Sequence, residues 1–168
     1  MNLNKLHLSP SDISFLYKNS LVEIKDAENY QLAAGKTGTT WKFLGQNKKN
    51  ILIILKYEDA VHIPDKQLAF LTKLLAACNL NLGDIAILNF QNYGQAGFAN
   101  IISFFKSKVV FLFGVSPDEF GLPLLFPAFQ VQAYKEASYL YSPSLEEIEP
   151  DINLKTKLWA CLKKIFNL

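Results

Sequence analysis

The chain has 168 residues, of which 50% are hydrophobic and 13% aromatic, so it can bury a large core as one domain. Its 17 basic and 15 acidic residues give a formal net charge of +2, which excludes the strongly basic character typical of tight DNA binders. The composition carries no signature of disorder. We expect a single α/β domain over residues 1–168.

Cysteine usage and hydropathy indicate the compartment. Cys78 and Cys161 lack the close spacing of a redox or zinc motif, so we expect two buried, reduced thiols. The start of the chain lacks the apolar run of a signal peptide, and the apolar run at residues 109–115 is far shorter than the ~20 residues that span a bilayer. We expect a soluble cytoplasmic protein with no membrane contact, no metal and no cofactor.

The first part of the chain is the least determined. We treat residues 1–49 as an extension packed on or beside the sheet, and residues 50–168 as the core. A Ser-Pro pair predicts a short helix over residues 9–19. Residues 21–24 are a short strand or an extended segment, and the alternation at residues 41–45 predicts an edge strand.

The tripeptide Gly35-Lys36-Thr37 invites comparison with a phosphate-binding loop. That motif needs a glycine five residues before Gly35, where Tyr30 stands, and a buried strand leading into the loop. The preceding residues are polar. A solvated turn is therefore the better interpretation.

The core begins with an alternation of strands and helices. Residues 50–56 contain five consecutive aliphatic side chains, which predict a strand buried on both faces. A helix over residues 65–79 with a wide apolar stripe, a strand over 84–89, a weaker helix over 95–105 and an apolar strand over 108–114 follow. This order predicts right-handed crossovers and a parallel sheet.

The remaining elements complete the predicted layers. Ser116 caps a short helical turn. Residues 130–134 and 137–141 form two short strands, or one strand interrupted at Lys135. An amphipathic helix over residues 151–166 follows. The predicted fold is a three-layer α/β/α sandwich around a mostly parallel four-stranded sheet.

The carboxyl ends of the predicted strands are the first place to look for chemistry, because open α/β sheets bind ligands there. Glu58 and Asp59 follow the first strand, and Asn89 ends the second. A carboxylate that activates water and an amide that holds a substrate would make a minimal catalytic pair, yet Asx residues at strand ends commonly satisfy turn backbones. Neither His7 nor His62 has a nucleophile beside it in sequence. We expect no catalytic set.

One loop, residues 120–127, is unusually apolar. Loops are usually polar and on the surface, so something must cover these side chains. They either fold back as an extension of the core or form a protein-binding patch. The candidate partner-binding residues are Phe120, Leu122, Leu124, Leu125 and Phe126.

The order of these motifs resembles the uracil-DNA glycosylase superfamily. In that family the first parallel strand enters a Gly-Gln-Asp-Pro-Tyr-His loop and the second ends in Leu-Leu-Asn. The third reads roughly Val-Val-Phe-Leu-Leu-Trp-Gly, and a His-Pro-Ser-Pro-Leu loop follows the fourth. The corresponding segments here are residues 56–62, Ile87-Leu88-Asn89, residues 109–114 and Tyr141-Ser142-Pro143-Ser144-Leu145.

The resemblance implies a glycosylase-like fold, with Asp59 in the place of the water-activating carboxylate and Asn89 in that of the base-reading amide. The glycine, proline and tyrosine of the first loop are missing, and Tyr141 stands where the catalytic histidine would. We therefore expect a catalytically silent member of the fold. The alternative is a divergent DNA base glycosylase that uses Asp59 and Asn89, with Tyr57 or Phe90 stacking on the flipped base.

Residues 142–159 resemble the carboxyl end of the psi subunit of bacterial DNA polymerase III. Ser142-Pro143-Ser144-Leu145 is similar to its Ser-Pro-small-Leu turn, and Lys155-Thr156-Lys157-Leu158-Trp159 to its helix containing Lys/Arg-x-x-Leu-Trp. That subunit is a non-catalytic relative of the glycosylase fold which joins the clamp loader to the single-strand-binding machinery through a partner subunit. The resemblance implies a replication accessory protein whose partners are the clamp loader or a chi-like subunit. The family's N-terminal clamp-loader-binding peptide is not visible here, and direct contact with nucleic acid stays open.

Overall fold

The computed structural model describes residues 30–34, by their backbone, and residues 40–168. The predictions for residues 9–19, for residues 21–24 and for Gly35-Lys36-Thr37 lie outside these ranges. The described strands are β1 Tyr30–Ala34, β2 Thr40–Gly45, β3 Ile51–Leu55, β4 Ile85–Asn89, β5 Val109–Phe113, β6 Val131–Tyr134 and β7 Ala137–Ser142. The described α-helices are α1 Asp65–Ala77, α2 Phe98–Phe105, α3 Pro117–Phe120, α4 Leu145–Ile148 and α5 Ile152–Phe166, and a 3-10 turn covers Phe90–Asn92.

The strands form one mixed sheet in the order β1-β2-β4-β3-β5-β7-β6. Strands β4, β3, β5 and β7 run parallel to one another, while β1, β2 and β6 pair antiparallel at the two ends. The α/β class is confirmed. The prediction of a four-stranded sheet is wrong, because antiparallel strands extend the parallel group on both sides to seven strands.

Strand β2 corrects the prediction for residues 41–45. It is a strand, but it is bordered by β1 on one side and β4 on the other, so it is not an edge. The described residues between 30 and 45 thus contribute two strands to the sheet. The aromatic side chains of β2 pack on the sheet face that α2 covers, since Trp41 and Phe43 are both buried and Phe43 meets the Phe105 ring edge-on at 5.0 Å.

Strand β3 lies at the centre of the molecule, and all five of its side chains are buried. Ile51, Ile53 and Leu55 enter a core shared with α1, α4 and α5, while Leu52 and Ile54 enter a second core shared with α2 and α3. Alternate side chains of a strand point to opposite faces, so the unbroken apolar run requires helices on both sides. The three-layer arrangement follows.

Side-chain caps begin three of the helices. Ser116 Oγ accepts a hydrogen bond from the Glu119 N–H at 3.2 Å, as the sequence predicted. Ser144 and Glu147 form a reciprocal capping box, and Asp151 accepts from the first turn of α5. None of the helices in the described ranges has the length and hydropathy needed to cross a membrane.

The segment 130–141 is a hairpin and not one interrupted strand. Lys135 and Glu136 both have positive φ, 45° and 64°, which is the geometry of a two-residue turn whose twist matches that of the strands. Tyr134 and Ala137 pair directly across the turn. The hairpin places β6 at one end of the sheet.

Gly45 provides a test of how β2 meets β4. Its φ is +105°, and a Cβ there would overlap the Ile85 carbonyl oxygen and lie 2.7 Å from the Leu82 oxygen. We expect Gly45→Ala to destabilise the protein by at least about 2 kcal/mol, because both the φ and the space exclude a side chain. Gly94→Ala is the matched control, since no atom lies within 4 Å of its Cβ position. Urea unfolding measures both, and equal stability of the two variants would contradict this packing.

Candidate functional site

The carboxyl ends of β3 and β4 meet at one edge of the sheet, where Asn89 connects them. Its Oδ1 accepts from the backbone N–H of Tyr57 at 3.0 Å and of Gln91 at 3.2 Å. Its Nδ2 donates to the carbonyl oxygens of Tyr57 and Ala60, both at 2.7 Å. The side chain is 0% exposed. Asn89 therefore holds the loop after β3 against the start of the 3-10 turn.

This bonding decides what Asn89 can do chemically. A side-chain amide has two N–H donors and one carbonyl oxygen with two lone pairs, and here both donors are used and the oxygen accepts twice. No capacity is left for a ligand. The structure thus assigns Asn89 the turn-satisfying role weighed in the sequence, and not that of a base-reading amide.

The two carboxylates lie elsewhere. Glu58 and Asp59 are exposed and line an open hollow of about 600 Å³. Asn89 does not line this hollow, and neither does His62, which is buried at 6% exposure. The predicted set of Asp59 and Asn89 is therefore not brought together. The residues lining the hollow are Lys42, Glu58, Asp59, Ala60, Val61, Asn92 and Tyr93.

Lys42 and Tyr93 are members of this hollow that the sequence analysis missed. The Tyr93 hydroxyl accepts from the Lys42 backbone N–H at 2.7 Å and donates to the Thr40 carbonyl oxygen at 3.3 Å. The ring also lies 5.0 Å from Trp41. These contacts join residues about fifty positions apart, so no local pattern marks them.

The aromatic residues proposed for base stacking are not presented to the hollow. Phe90 is buried and meets Phe120 edge-on at 5.5 Å. Tyr57 is half-buried and packs against the first core. Burial, together with the nearby Glu146 carboxylate, raises the pKa of Tyr57 to about 12, so it stays neutral and is no general base at ordinary pH.

An ion pair connects the end of β3 to α3. Lys56 Nζ lies 2.6 Å from Glu119 Oε1, and the hydrogen bond and charge of Glu119 raise the pKa of Lys56. Both side chains are substantially exposed, and exposed pairs contribute little to stability. The pair lies at the start of the loop after β3, and the Lys56 ammonium group is bonded there to the Glu119 carboxylate.

The apolar loop after α3 corrects the proposed partner-binding patch. Phe120, Leu122 and Phe126 are buried in the second core, at 1%, 5% and 9% exposure. Leu124 is half-buried against the same core, and Leu125 alone of the five candidates is exposed, at 82%. The loop folds back because its side chains cover the α2 and α3 face of the sheet. Most of the proposed patch is therefore core.

Tyr141, which stands in the place of the glycosylase histidine, is half-buried against the second core. Its carbonyl oxygen accepts from the Phe129 N–H at 2.8 Å. Within the described residues, no group of three or more His, Cys, Asp or Glu side chains is arranged to hold a metal ion. This edge of the sheet offers an open hollow lined by two exposed carboxylates, Glu58 and Asp59, together with Lys42 and Tyr93.

No protein-family model matches the chain, and no curated protein shows significant sequence similarity to it.

The structural role of Asn89 can be tested by measuring the free energy of unfolding of a variant that lacks its side-chain amide. Asn89→Ala leaves the Tyr57 N–H and the carbonyl oxygens of Tyr57 and Ala60 without these partners, so we expect a loss of about 2–4 kcal/mol. Asn92→Ala is the control, since this exposed side chain makes one 3.5 Å contact to Val61 O and should change stability by less than about 0.5 kcal/mol. Denaturant titration distinguishes them. An Asn89→Ala protein as stable as the parent would refute the structural role.

The apolar loop gives a matched pair of substitutions three positions apart. We expect Leu122→Asp to lose about 3 kcal/mol or more, because it places a carboxylate among buried rings. Leu125→Asp should leave stability within about 0.5 kcal/mol. Thermal unfolding followed by circular dichroism measures both. Tolerance of Leu122→Asp would show that the loop does not cover the core.

Proposed function

We propose that this chain is a non-catalytic accessory protein of DNA replication, similar to the psi subunit of DNA polymerase III and built on a uracil-DNA-glycosylase-like fold. The observation that carries the non-catalytic part is the full commitment of the Asn89 side chain to the loop after β3. The asparagine that would recognise a base is present, but its side chain is bonded to the backbone of the loop after β3.

The arrangement of the sheet supports the fold assignment. The four segments matched to the glycosylase motifs lie within or directly after β3, β4, β5 and β7, which are the four mutually parallel strands. Parallel strands end at a common edge, so the segments matched to family loops lie along the same side of the molecule. The shared edge supports the proposed glycosylase-like fold, and Tyr141 stands in the place of the family's catalytic histidine.

The psi-like segment has a structural explanation in this molecule. Ser144 begins α4 through the capping box, and Leu158 is fully buried where α5 packs on the sheet. Trp159 is partly buried against the same core. These residues support similarity in the fold of the C-terminal region, and partner choice must come from other surfaces.

The replication role is tested by direct binding. We expect the purified chain to co-elute on size exclusion with the clamp loader or the chi-like subunit from the same cell. The control is a mixture of the chain with the polymerase core alone, which should not co-elute. If neither subunit binds at tens of micromolar, the psi-like role is wrong.

The absence of catalysis needs its own assay. We expect no release of uracil from a uracil-containing single-stranded oligonucleotide above the level of a blank preparation. Release that is lost on Asp59→Asn would overturn the non-catalytic assignment in favour of the glycosylase alternative. The Asp59→Asn substitution is at an exposed position, so loss of folding does not confuse the result.

A further inference from the structure

Strand β6 presents backbone groups at one end of the sheet. It pairs with β7 alone among the described strands. Ala133 lies opposite Ser138, whose N–H donates to Lys108 O on the other side of β7 at 2.9 Å. Opposed residues in an antiparallel pair either bond to each other or both point away. The N–H and C=O of Ala133 therefore face outward, as do those of Val131 two residues earlier. The Ala133 carbonyl oxygen accepts a hydrogen bond from the exposed Gln132 side-chain amide at 3.3 Å, which a pairing strand would displace.

An open groove of about 740 Å³ runs between the start of β6 and helix α5. Its apolar wall includes Phe129 and Val131, which also pack against the first core. Cys161 Sγ donates a hydrogen bond to Phe129 O at 3.2 Å, which holds helix α5 to the segment that leads into β6. The lining residues are Ala128, Phe129, Gln130, Val131, Lys157, Ala160, Cys161 and Lys164.

The groove carries positive charge on its helical side. Helix α5 contains four lysines and no acidic residue, although the whole chain has a net charge of only +2. Lys157 and Lys164 line the groove, and no acidic side chain is among the lining residues. Lys157 Nζ lies 5.9 Å from the centre of the Phe129 ring, so it already leans over the apolar wall.

We infer that the outer side of β6 binds an extended acidic peptide of a partner protein, which adds to the sheet as an antiparallel or parallel strand. The outward N–H and C=O groups of Val131 and Ala133 would supply main-chain hydrogen bonds. Lys157 and Lys164 would pair with carboxylates on the peptide face that is turned toward α5. A single-stranded nucleic acid would match the charge but has no backbone able to continue the β-ladder.

The spacing of the lysines sets the form of the peptide. Seven positions on a helix separate Lys157 from Lys164 by about 10.5 Å along the axis. Side chains on one face of a strand recur every ~6.8 Å, so carboxylates four positions apart span about 14 Å, within reach of flexible lysines. One apolar side chain between them would face Phe129 and Val131. This inference holds with or without the replication role.

The probe is a labelled, acetylated and amidated heptapeptide, Thr-Asp-Thr-Val-Thr-Glu-Thr, whose two acids and one valine share a face. We expect saturable binding by fluorescence anisotropy to the full chain, with amide shifts on β6 and α5 in NMR spectra. The version with both acids replaced by lysine should bind at least about tenfold more weakly, because two ion pairs become two repulsions.

Two matched double variants separate the groove from general charge. Lys157→Glu with Lys164→Glu should weaken peptide binding at least about tenfold. Lys155→Glu with Lys163→Glu makes the same change in net charge on the same helix outside the groove lining, and should weaken binding less than about threefold. Equal loss in both variants would overturn the proposed site.

Strand addition is tested through the backbone. Ala133→Pro removes an outward N–H, a place where edge strands tolerate proline, and should weaken binding about tenfold. Two N-methylated peptides, methylated on opposite sets of alternate amides, test the same point without altering the protein. Only one of the two should lose binding. If neither does, no strand is added and the inference is wrong.

Other occupants give different results. A thymidine oligonucleotide that binds through Lys157 and Lys164 and is unaffected by Ala133→Pro, with no binding of the peptide, would replace the inference with a nucleic-acid site. A dimer in analytical ultracentrifugation that Ala133→Pro dissociates, with no peptide binding, would show that β6 pairs with a second copy instead. Neither result changes the outcome of the clamp-loader binding experiment, which tests the replication role separately.

Discussion

The burial of both faces of β3 is the constraint on which the rest of the structure depends. Five aliphatic side chains between Ile51 and Leu55 have no polar face to give to solvent, so helices must cover the sheet on both sides. The parallel neighbours β4 and β5 require crossovers, and those crossovers supply the helices. The same geometry gathers the loops after β3 and β4 at one edge, where a ligand would bind if this fold carried one.

At that edge the polar residues support the backbone. Asn89 is buried among carbonyl and N–H groups of residues 57, 60 and 91 and satisfies all of them. A buried amide in such a position is expensive to replace because it leaves several backbone groups unpaired. Glu58 and Asp59, by contrast, are solvated and lie across an open hollow. The buried part of this edge is thus held together by Asn89, and its exposed part carries the two carboxylates.

The near balance of charge in the whole chain conceals a local asymmetry. Helix α5 contributes four lysines without an acid, whereas the loop after β3 places two carboxylates in succession at the carboxyl ends of the parallel strands. Local fields of this kind act over about a Debye length and guide the choice of partner more than net charge does.

Part of this architecture was predictable from the sequence because it depends on neighbours along the chain. The apolar runs of β3, β4 and β5, the stripes of α1 and α5, and the Ser116 cap are local signals, and each is found within a few residues of the predicted bounds. The hairpin at Lys135 could be assigned only from the backbone angles of the structure, because the sequence was compatible with one strand or two.

The tertiary structure alone decided the features that join distant residues. Strand β2 is interior because β1 and β4 pair on its two sides, and its own alternation cannot reveal either neighbour. Leu122 is buried and Leu125 exposed within one apolar loop, since coverage depends on what lies opposite. Asn89 is structural because its partners lie about thirty residues earlier. Hydrophobic periodicity indicates which face of an element a side chain lies on. The residues that the side chain contacts depend on how distant parts of the chain pack together, which only the tertiary structure shows.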